Sequence, residues 1–158
     1  MMGKKLRTRA AMIIVALALF TLMPTAGATP SGGLSVTTTH GRIRFHTGLD
    51  TAGISGTFAF TGTSTASCGA DAWFTLGTGV WKATGRNFHA RKALCIWRNP
   101  GGRLRSVVLN YHTGRWTVSL NAAMGELANP VLVGLRIGSS FGSQSVQMTP
   151  TRNGWRFP

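Results

Sequence analysis

The sequence predicts an all-β protein: an antiparallel β-sandwich or a partly open barrel of short strands, preceded by a cleaved signal peptide. Turn-forming Gly, Asn and Pro residues recur about every eight to twelve residues and separate runs rich in β-branched and aromatic residues. Several of these runs alternate apolar and polar residues, as a strand with one buried face does. Because a sandwich and a barrel both bury alternate residues, the pattern does not distinguish them.

The N-terminal segment has the composition of a secretory signal peptide. Four basic residues precede an apolar run of 14 residues, Ala10–Met23, and Ala26-Gly27-Ala28 then fits a small-residue cleavage site. The run is shorter than the roughly 20 residues that a membrane-spanning helix needs. We therefore predict a signal peptide over residues 1–28, a single β domain over residues 29–158, and a secreted or periplasmic location.

The predicted strands follow one another with short connections. Those of the first half are Leu34–Thr39, Arg42–Thr47, Ile54–Thr61, Ala72–Leu76, Val80–Thr84, Asn87–Ala90 and Ala93–Arg98; those of the second half are Arg103–Tyr111, Arg115–Asn121, Val131–Ile137, Ser143–Thr149 and Trp155–Phe157. Glycine-containing connections at 99–102 and 112–114 favour antiparallel hairpins. Residues 121–127 predict one helical turn, which Asn129-Pro130 would end.

Three of these strands show which side chains are expected to face the core. The predicted inward residues are Ile43, Phe45, Trp116, Val118, Leu120, Val131, Val133, Leu135 and Ile137. The residues between them include Arg42, Arg44, Arg115 and Arg136. Because side chains alternate across a strand, we expect these arginines on outward faces.

Cys68 and Cys95 are the only cysteines in the sequence. In an exported protein such a pair most often forms a disulfide, and their spacing excludes a CxxC redox motif or a cysteine zinc site. The bridge would close a loop of 28 residues, counting both ends. Loop-closure entropy then gives a stabilisation of roughly 3 to 4 kcal/mol.

The order of several short segments resembles a family of uncharacterised secreted bacterial β-repeat domains, of the planctomycete and myxobacterial type, over about residues 54–138. The segments that carry this resemblance are Gly56-Thr57-Phe58, Trp73-Phe74-Thr75-Leu76, Val80-Trp81-Lys82-Ala83 and the stretch from Ala128-Asn129-Pro130-Val131 to Ile137-Gly138. The resemblance implies a β fold and no activity. Ser139-Ser140 stands where acidic residues are usual in the family, so the resemblance carries over no cation site and no functional residues.

The chain is strongly basic, with 17 Lys and Arg, three Asp and Glu, and a formal net charge of +14. Cleavage of the signal peptide removes four basic residues and leaves 13 against three acids, a net charge of about +10. Such a charge attracts polyanions over a Debye length of about 10 Å, and arginine binds phosphate, sulfate or carboxylate groups bidentately. The candidate binding residues are Arg42, Arg44, Arg103, Arg105, Arg115 and Arg136.

The residues that usually carry catalysis are few and scattered. The three acids, Asp50, Asp71 and Glu126, stand far apart in sequence, which disfavours a glycosidase carboxyl pair or a calcium site. None of the four histidines, His40, His46, His89 and His112, has the HExxH or HxH spacing of a metal site. We therefore expect no metal and no cofactor.

Two hypotheses of function remain. The first is a secreted, non-enzymatic domain of the cell envelope or extracellular space that binds a polyanionic polymer through arginine-rich faces, with a protein partner or self-association as further options. The alternative is a small, basic, ribonuclease-like hydrolase or toxin, which would need two of the histidines to converge as acid and base.

Overall fold

A computed structural model describes residues 33–61 and 67–158, which form twelve strands. The predicted signal peptide, residues 1–28, and the predicted start of the mature chain at Thr29 lie outside the described residues. The strands are β1 (Gly33–Arg44), β2 (Asp50–Thr61), β3 (Ala72–Leu76), β4 (Gly79–Ala83), β5 (His89–Arg91), β6 (Leu94–Arg98), β7 (Leu104–Asn110), β8 (Arg115–Ala122), β9 (Val131–Ile137), β10 (Ser140–Val146), β11 (Thr149–Thr151) and β12 (Gly154–Arg156). A short 3-10 turn, Gly85–Asn87, precedes β5.

These strands belong to one sheet, in the order β4-β3-β9-β10-β1-β2-β8-β7-β6-β5, with β12 paired to the end of β1 and β11 paired to β12. The sheet curls into a half-barrel. The all-β prediction is confirmed, and of the two architectures left open the partly open barrel is the one observed.

The predicted antiparallel pairing is observed between all paired strands of the described residues except one pair. β10 runs parallel to β1 where Gly33 lies opposite Phe141, whereas β12 pairs antiparallel with the last residues of β1. Both strands therefore use the same edge of β1, since β2 occupies the other edge. Only the final hairpin, from β11 to β12, reverses the chain and lets β12 run antiparallel to β1.

Two predicted strands, Ala72–Leu76 and Val131–Ile137, are observed with the same bounds. The strands predicted at Leu34–Thr39 and Arg42–Thr47 are a single strand, β1, because a bulge between Thr38 and His40 lets the pairing with β2 continue. β10 begins at Ser140, three residues before the predicted start at Ser143.

The helical turn predicted over residues 121–127 is wrong. β8 continues to Ala122, and the residues that follow it are irregular rather than helical. A tertiary contact takes the place of the helical hydrogen bonds, because the Met124 amide donates to Asp50 Oδ2 at 3.0 Å. The local preference for a helix is therefore overridden by a carboxylate 74 residues away in the chain.

The inner face of the half-barrel is the hydrophobic core. Eight of the nine predicted inward residues are buried there; Phe45 remains 37% exposed, because β1 ends at Arg44. The Phe74 and Trp116 rings meet across the interior at 5.8 Å, which joins β3 to β8. Trp116 lies opposite Gly56, where any side chain would clash with the indole and with the Thr37 carbonyl oxygen. A glycine is required at this position.

The predicted disulfide between Cys68 and Cys95 is present, with the two Cα atoms 5.5 Å apart. Cys95 is a buried residue of β6, and Cys68 lies in the segment that leads into β3. The bridge therefore links segments that lie near the two opposite ends of the strand order, and we expect it to help to hold the sheet in its curled form. Over the residues that the structure describes, no helix has the length and apolar character needed to span a bilayer.

Candidate polyanion-binding surface

A groove of about 450 Å³ on the outer face of the half-barrel is bordered by three of the candidate arginines, Arg42, Arg44 and Arg105. We call it the arginine groove. Gly53 forms its floor, and the neutral polar side chains along it are those of Thr51, Ser119 and Asn121. None of the described residues that line the groove is aromatic.

Strand pairing brings these arginines together. On β1, Arg42 lies opposite Gly53, which lies opposite Ser119 of β8, which in turn lies opposite Ser106 of β7. Adjacent strands are about 4.8 Å apart, so three steps separate β1 from β7 by about 14 Å. Arg42 and Arg105 are 63 positions apart in the sequence and nevertheless face the same groove.

A β-bulge places Arg105 at the groove. Leu104 pairs with Leu120 and Ser106 with the adjacent Ser119, so Arg105 is an extra residue on β7. Bulges redirect side chains in this way and increase the local twist of the strand. Arg105 thus lines the groove although it has no partner residue on β8, whereas Leu104 and Ser106 on either side of it are paired.

Two further arginines extend the positive surface across the strands. Arg156 of β12 lies opposite Arg42, and Arg98 of β6 lies opposite Ser106. Both are exposed. Sequence reasoning did not include them, although each follows a tryptophan within a strand and so alternates with an inward-facing residue. Arg98 and Arg156 belong to the positive surface only because β6 and β12 pair with strands next to the groove.

The charges of the groove are not balanced by nearby acids. Asp50 is buried and accepts hydrogen bonds from the His46 and Met124 amides, whereas Asp71 forms an ion pair with Lys82 at 2.6 Å. Glu126, the third acid, borders a different pocket. Arg42 and Arg156 form a like-charged pair at facing positions, an arrangement that costs free energy unless an anion lies between them.

The remaining candidate arginines lie outside the groove. Arg103 does not line it, although its carbonyl oxygen accepts a hydrogen bond at 2.7 Å from the amide of Asn121, which does. Arg115 lies further along β8, where it borders a separate pocket with Ser55 and Thr117. Neither arginine therefore belongs to the groove.

Arg136 belongs to a different cluster, on β9, and its side chain has partners within the protein. Its guanidinium lies over the Trp73 ring at 4.7 Å, and its Nε donates to the Gly138 carbonyl oxygen at 3.0 Å. Lys82 also contacts Trp73, at 5.0 Å from the ring centroid. These cation–π contacts engage both cations in the fold, so we leave Arg136 out of the binding surface.

The Asp71 carboxylate completes that cluster. It accepts a hydrogen bond from the Gly85 amide at 2.6 Å, and this bond, together with the one from Lys82, lowers the pKa of Asp71. Both interactions favour the charged form of the carboxyl group. The cluster therefore has a structural explanation that requires no ligand.

The four histidines lie on separate elements. His40 and His89 occupy the same register row but are five strands apart, about 24 Å along the sheet. His46 is six residues from His40 along extended chain, about 20 Å, and His112 lies in the turn between β7 and β8. Within residues 33–61 and 67–158, no three His, Cys, Asp or Glu side chains form a group that could hold a metal ion.

Comparisons with protein-family models, with curated proteins and with solved structures gave no match. The resemblance to secreted bacterial β-repeat domains therefore stays a prediction.

Proposed function

We propose that this protein is a secreted, non-enzymatic domain of the bacterial cell envelope or extracellular space whose arginine groove binds a polyanionic polymer. The predicted signal peptide supports this location, and a disulfide is typical of proteins that work in an oxidising compartment. The resemblance to secreted bacterial β-repeat domains agrees with it.

The observation that carries the proposal is the convergence of Arg42, Arg44 and Arg105 on one open groove without a carboxylate. Exposed guanidinium groups that have no acidic neighbour can each form two hydrogen bonds to a phosphate, sulfate or carboxylate group. The facing pair, Arg42 and Arg156, adds a position where one anion would relieve a repulsion.

The chemistry of the groove also indicates which part of a polymer is recognised. Single-stranded nucleic acids are usually held by stacking of their bases on aromatic side chains, and none of the described residues along the groove is aromatic. Its polar groups instead suit the charged and hydroxyl groups of a polymer backbone. We therefore infer that the groove recognises repeated anionic groups rather than bases.

Binding of this kind depends on salt, because each contact releases counterions from the polymer. The logarithm of the binding constant falls with the logarithm of the salt concentration by about 0.9 for each neutralised group on a duplex polyanion. The purified mature domain should therefore bind immobilised heparin or phosphocellulose strongly at low salt and elute as the salt concentration rises.

Two double variants with equal loss of charge test the site. Arg42→Gln/Arg105→Gln should weaken binding to heparin and reduce the salt slope by about two. Arg86→Gln/Lys92→Gln should leave the slope nearly unchanged, because Arg86, in the 3-10 turn, and Lys92, between β5 and β6, are exposed and do not line the groove. Equal effects of the two variants would mean that net charge, not the groove, determines binding. Binding that does not change with salt would overturn the polyanion proposal, and would favour a protein partner or self-association.

A further inference from the structure

A second pocket, of about 460 Å³, lies at one end of the half-barrel and is lined by Phe45, Gly125, Glu126, Leu127 and Trp155. We call it the aromatic pocket. Trp155 lies opposite Ile43, whose side chain is fully buried, and Phe45 is two residues beyond Ile43. Strand alternation places the Ile43 and Trp155 side chains on the inner side of the sheet, whereas the arginine groove is on the outer side; Phe45 follows the end of β1 and borders the same pocket as Trp155.

The walls of this pocket are tied together by a buried carboxylate. Asp50 accepts a hydrogen bond from the His46 amide at 3.2 Å through Oδ1 and one from the Met124 amide at 3.0 Å through Oδ2. The first bond holds the segment that carries Phe45, and the second holds the loop that carries Glu126. The Phe45 amide also donates to the Asn153 carbonyl oxygen at 2.9 Å, which attaches the hairpin that carries Trp155.

The pocket is therefore preformed, and its side chains supply two kinds of contact. Phe45 and Trp155 offer partly exposed aromatic surface, and Leu49, close to Phe45 in the chain, is 47% exposed. Glu126 is exposed and makes no hydrogen bond or ion pair with any residue that the structure describes. Aromatic surface with a small number of polar groups is the usual composition of a small-ligand site, and the volume falls in the usual range of about 300 to 1,000 Å³.

We propose that the aromatic pocket binds a neutral pyranose ring of a glycan. One face of a pyranose presents C–H groups that pack on an aromatic ring, while its hydroxyl groups can donate to a carboxylate such as that of Glu126. An ammonium group could also contact aromatic rings and a carboxylate. Here, however, Arg44 and Arg156 adjoin Phe45 and Trp155 in the chain, and the net charge of about +10 on the mature domain opposes the approach of a cation. A neutral sugar does not incur that cost.

The test uses soluble oligosaccharides of glucose, galactose, mannose and N-acetylglucosamine, titrated separately into the millimolar range. Binding is followed by tryptophan fluorescence and calorimetry. At least one series should bind, and Glu126→Gln should weaken that binding about tenfold, because it removes a hydrogen bond to a charged acceptor. Phe45→Ala should have a similar effect because it removes one wall of the pocket.

Phe141→Ala is the matched control, since Phe141 is also exposed but lies on β10, away from the pocket. It should leave sugar binding unchanged. Failure of all four series to bind would overturn the proposal, as would binding that Glu126→Gln and Phe45→Ala leave intact. Binding of tetramethylammonium in place of sugars would show a cation site and would equally overturn it. None of these outcomes depends on the arginine groove, which lies on the other face of the sheet.

Discussion

Substitution of Gly53 by glutamate should weaken polyanion binding in the arginine groove without disturbing the fold. Gly53 forms the floor of the groove, directly opposite Arg42. A Cβ atom built at this position contacts nothing within 4 Å, and its φ angle lies outside the left-handed region that favours glycine. The position therefore accepts a side chain, which would project into the groove.

The expected size of the effect follows from this geometry. Facing Cβ atoms are about 4.5 to 5.5 Å apart, so the carboxylate introduced by Gly53→Glu would reach the Arg42 guanidinium and neutralise one cationic contact. One fewer contact reduces the salt slope by about 0.9, which corresponds to roughly eightfold weaker binding at 0.1 M salt relative to a 1 M reference. Arg105 is two strands away from Gly53, one strand further than Arg42, and should be affected less.

The assay is a salt titration of heparin binding for Gly53→Glu, with Gly53→Gln and Gly53→Ala as controls, each accompanied by a urea unfolding curve. Gly53→Gln has nearly the same size without the charge and should retain most of the binding. Gly53→Ala should be about 0.4 to 1 kcal/mol more stable than the parent, because it restricts the unfolded chain. Unchanged binding by Gly53→Glu, or equal loss in Gly53→Gln, would refute the electrostatic reasoning. Loss of folding in all three would show that the position is not open.

Three further predictions concern the fold. Gly56→Ala should destabilise the protein by about 3 kcal/mol in urea unfolding, because the added Cβ has no space. Gly53→Ala is the control, since it also replaces a strand glycine but at a position with open space. Cys68→Ser/Cys95→Ser should lower the free energy of unfolding by about 3.5 kcal/mol, because the bridge no longer closes a 28-residue loop in the unfolded chain. An unchanged free energy of unfolding would show that the bridge is not needed to hold the curled sheet. Burial raises the pKa of Tyr111, the only tyrosine, from 10.0 to about 12. The contribution of this residue to the free energy of unfolding is therefore complete below pH 10 and is lost as the pH rises through 12. Tyrosinate absorbance should titrate near pH 12 in the folded protein and near pH 10 in urea.

The local sequence was sufficient to predict most strands and the facing direction of their residues. Alternation of apolar and polar residues depends only on the two-residue period of a strand, so the outward position of Arg42 and Arg44 followed from their immediate neighbours. The same period placed Trp116 inside. Where the regular period stopped, at Phe45 beyond the end of β1, the prediction of burial was wrong.

The composition of the binding surface could not be predicted in this way. Arg105 joins Arg42 because β7 and β8 follow β2 in the sheet and because β7 carries a bulge, and neither fact has a local signature. Arg136, like Arg42, lies between two inward-facing residues of a strand, yet its guanidinium packs on the Trp73 ring instead of lining the groove. The sequence offered no means of distinguishing these two arginines.

The sequence by itself therefore determined the all-β class, the alternation of inward and outward residues, the cysteine pair and the excess of positive charge. Each of these depends on composition or on neighbours a few residues apart. Only the tertiary structure decided which outward arginines share a groove, which acid ties the aromatic pocket together, and that the sheet closes partway into a barrel. Those outcomes depend on pairing between distant segments, whose partners are selected by packing of the whole sheet rather than by local preference.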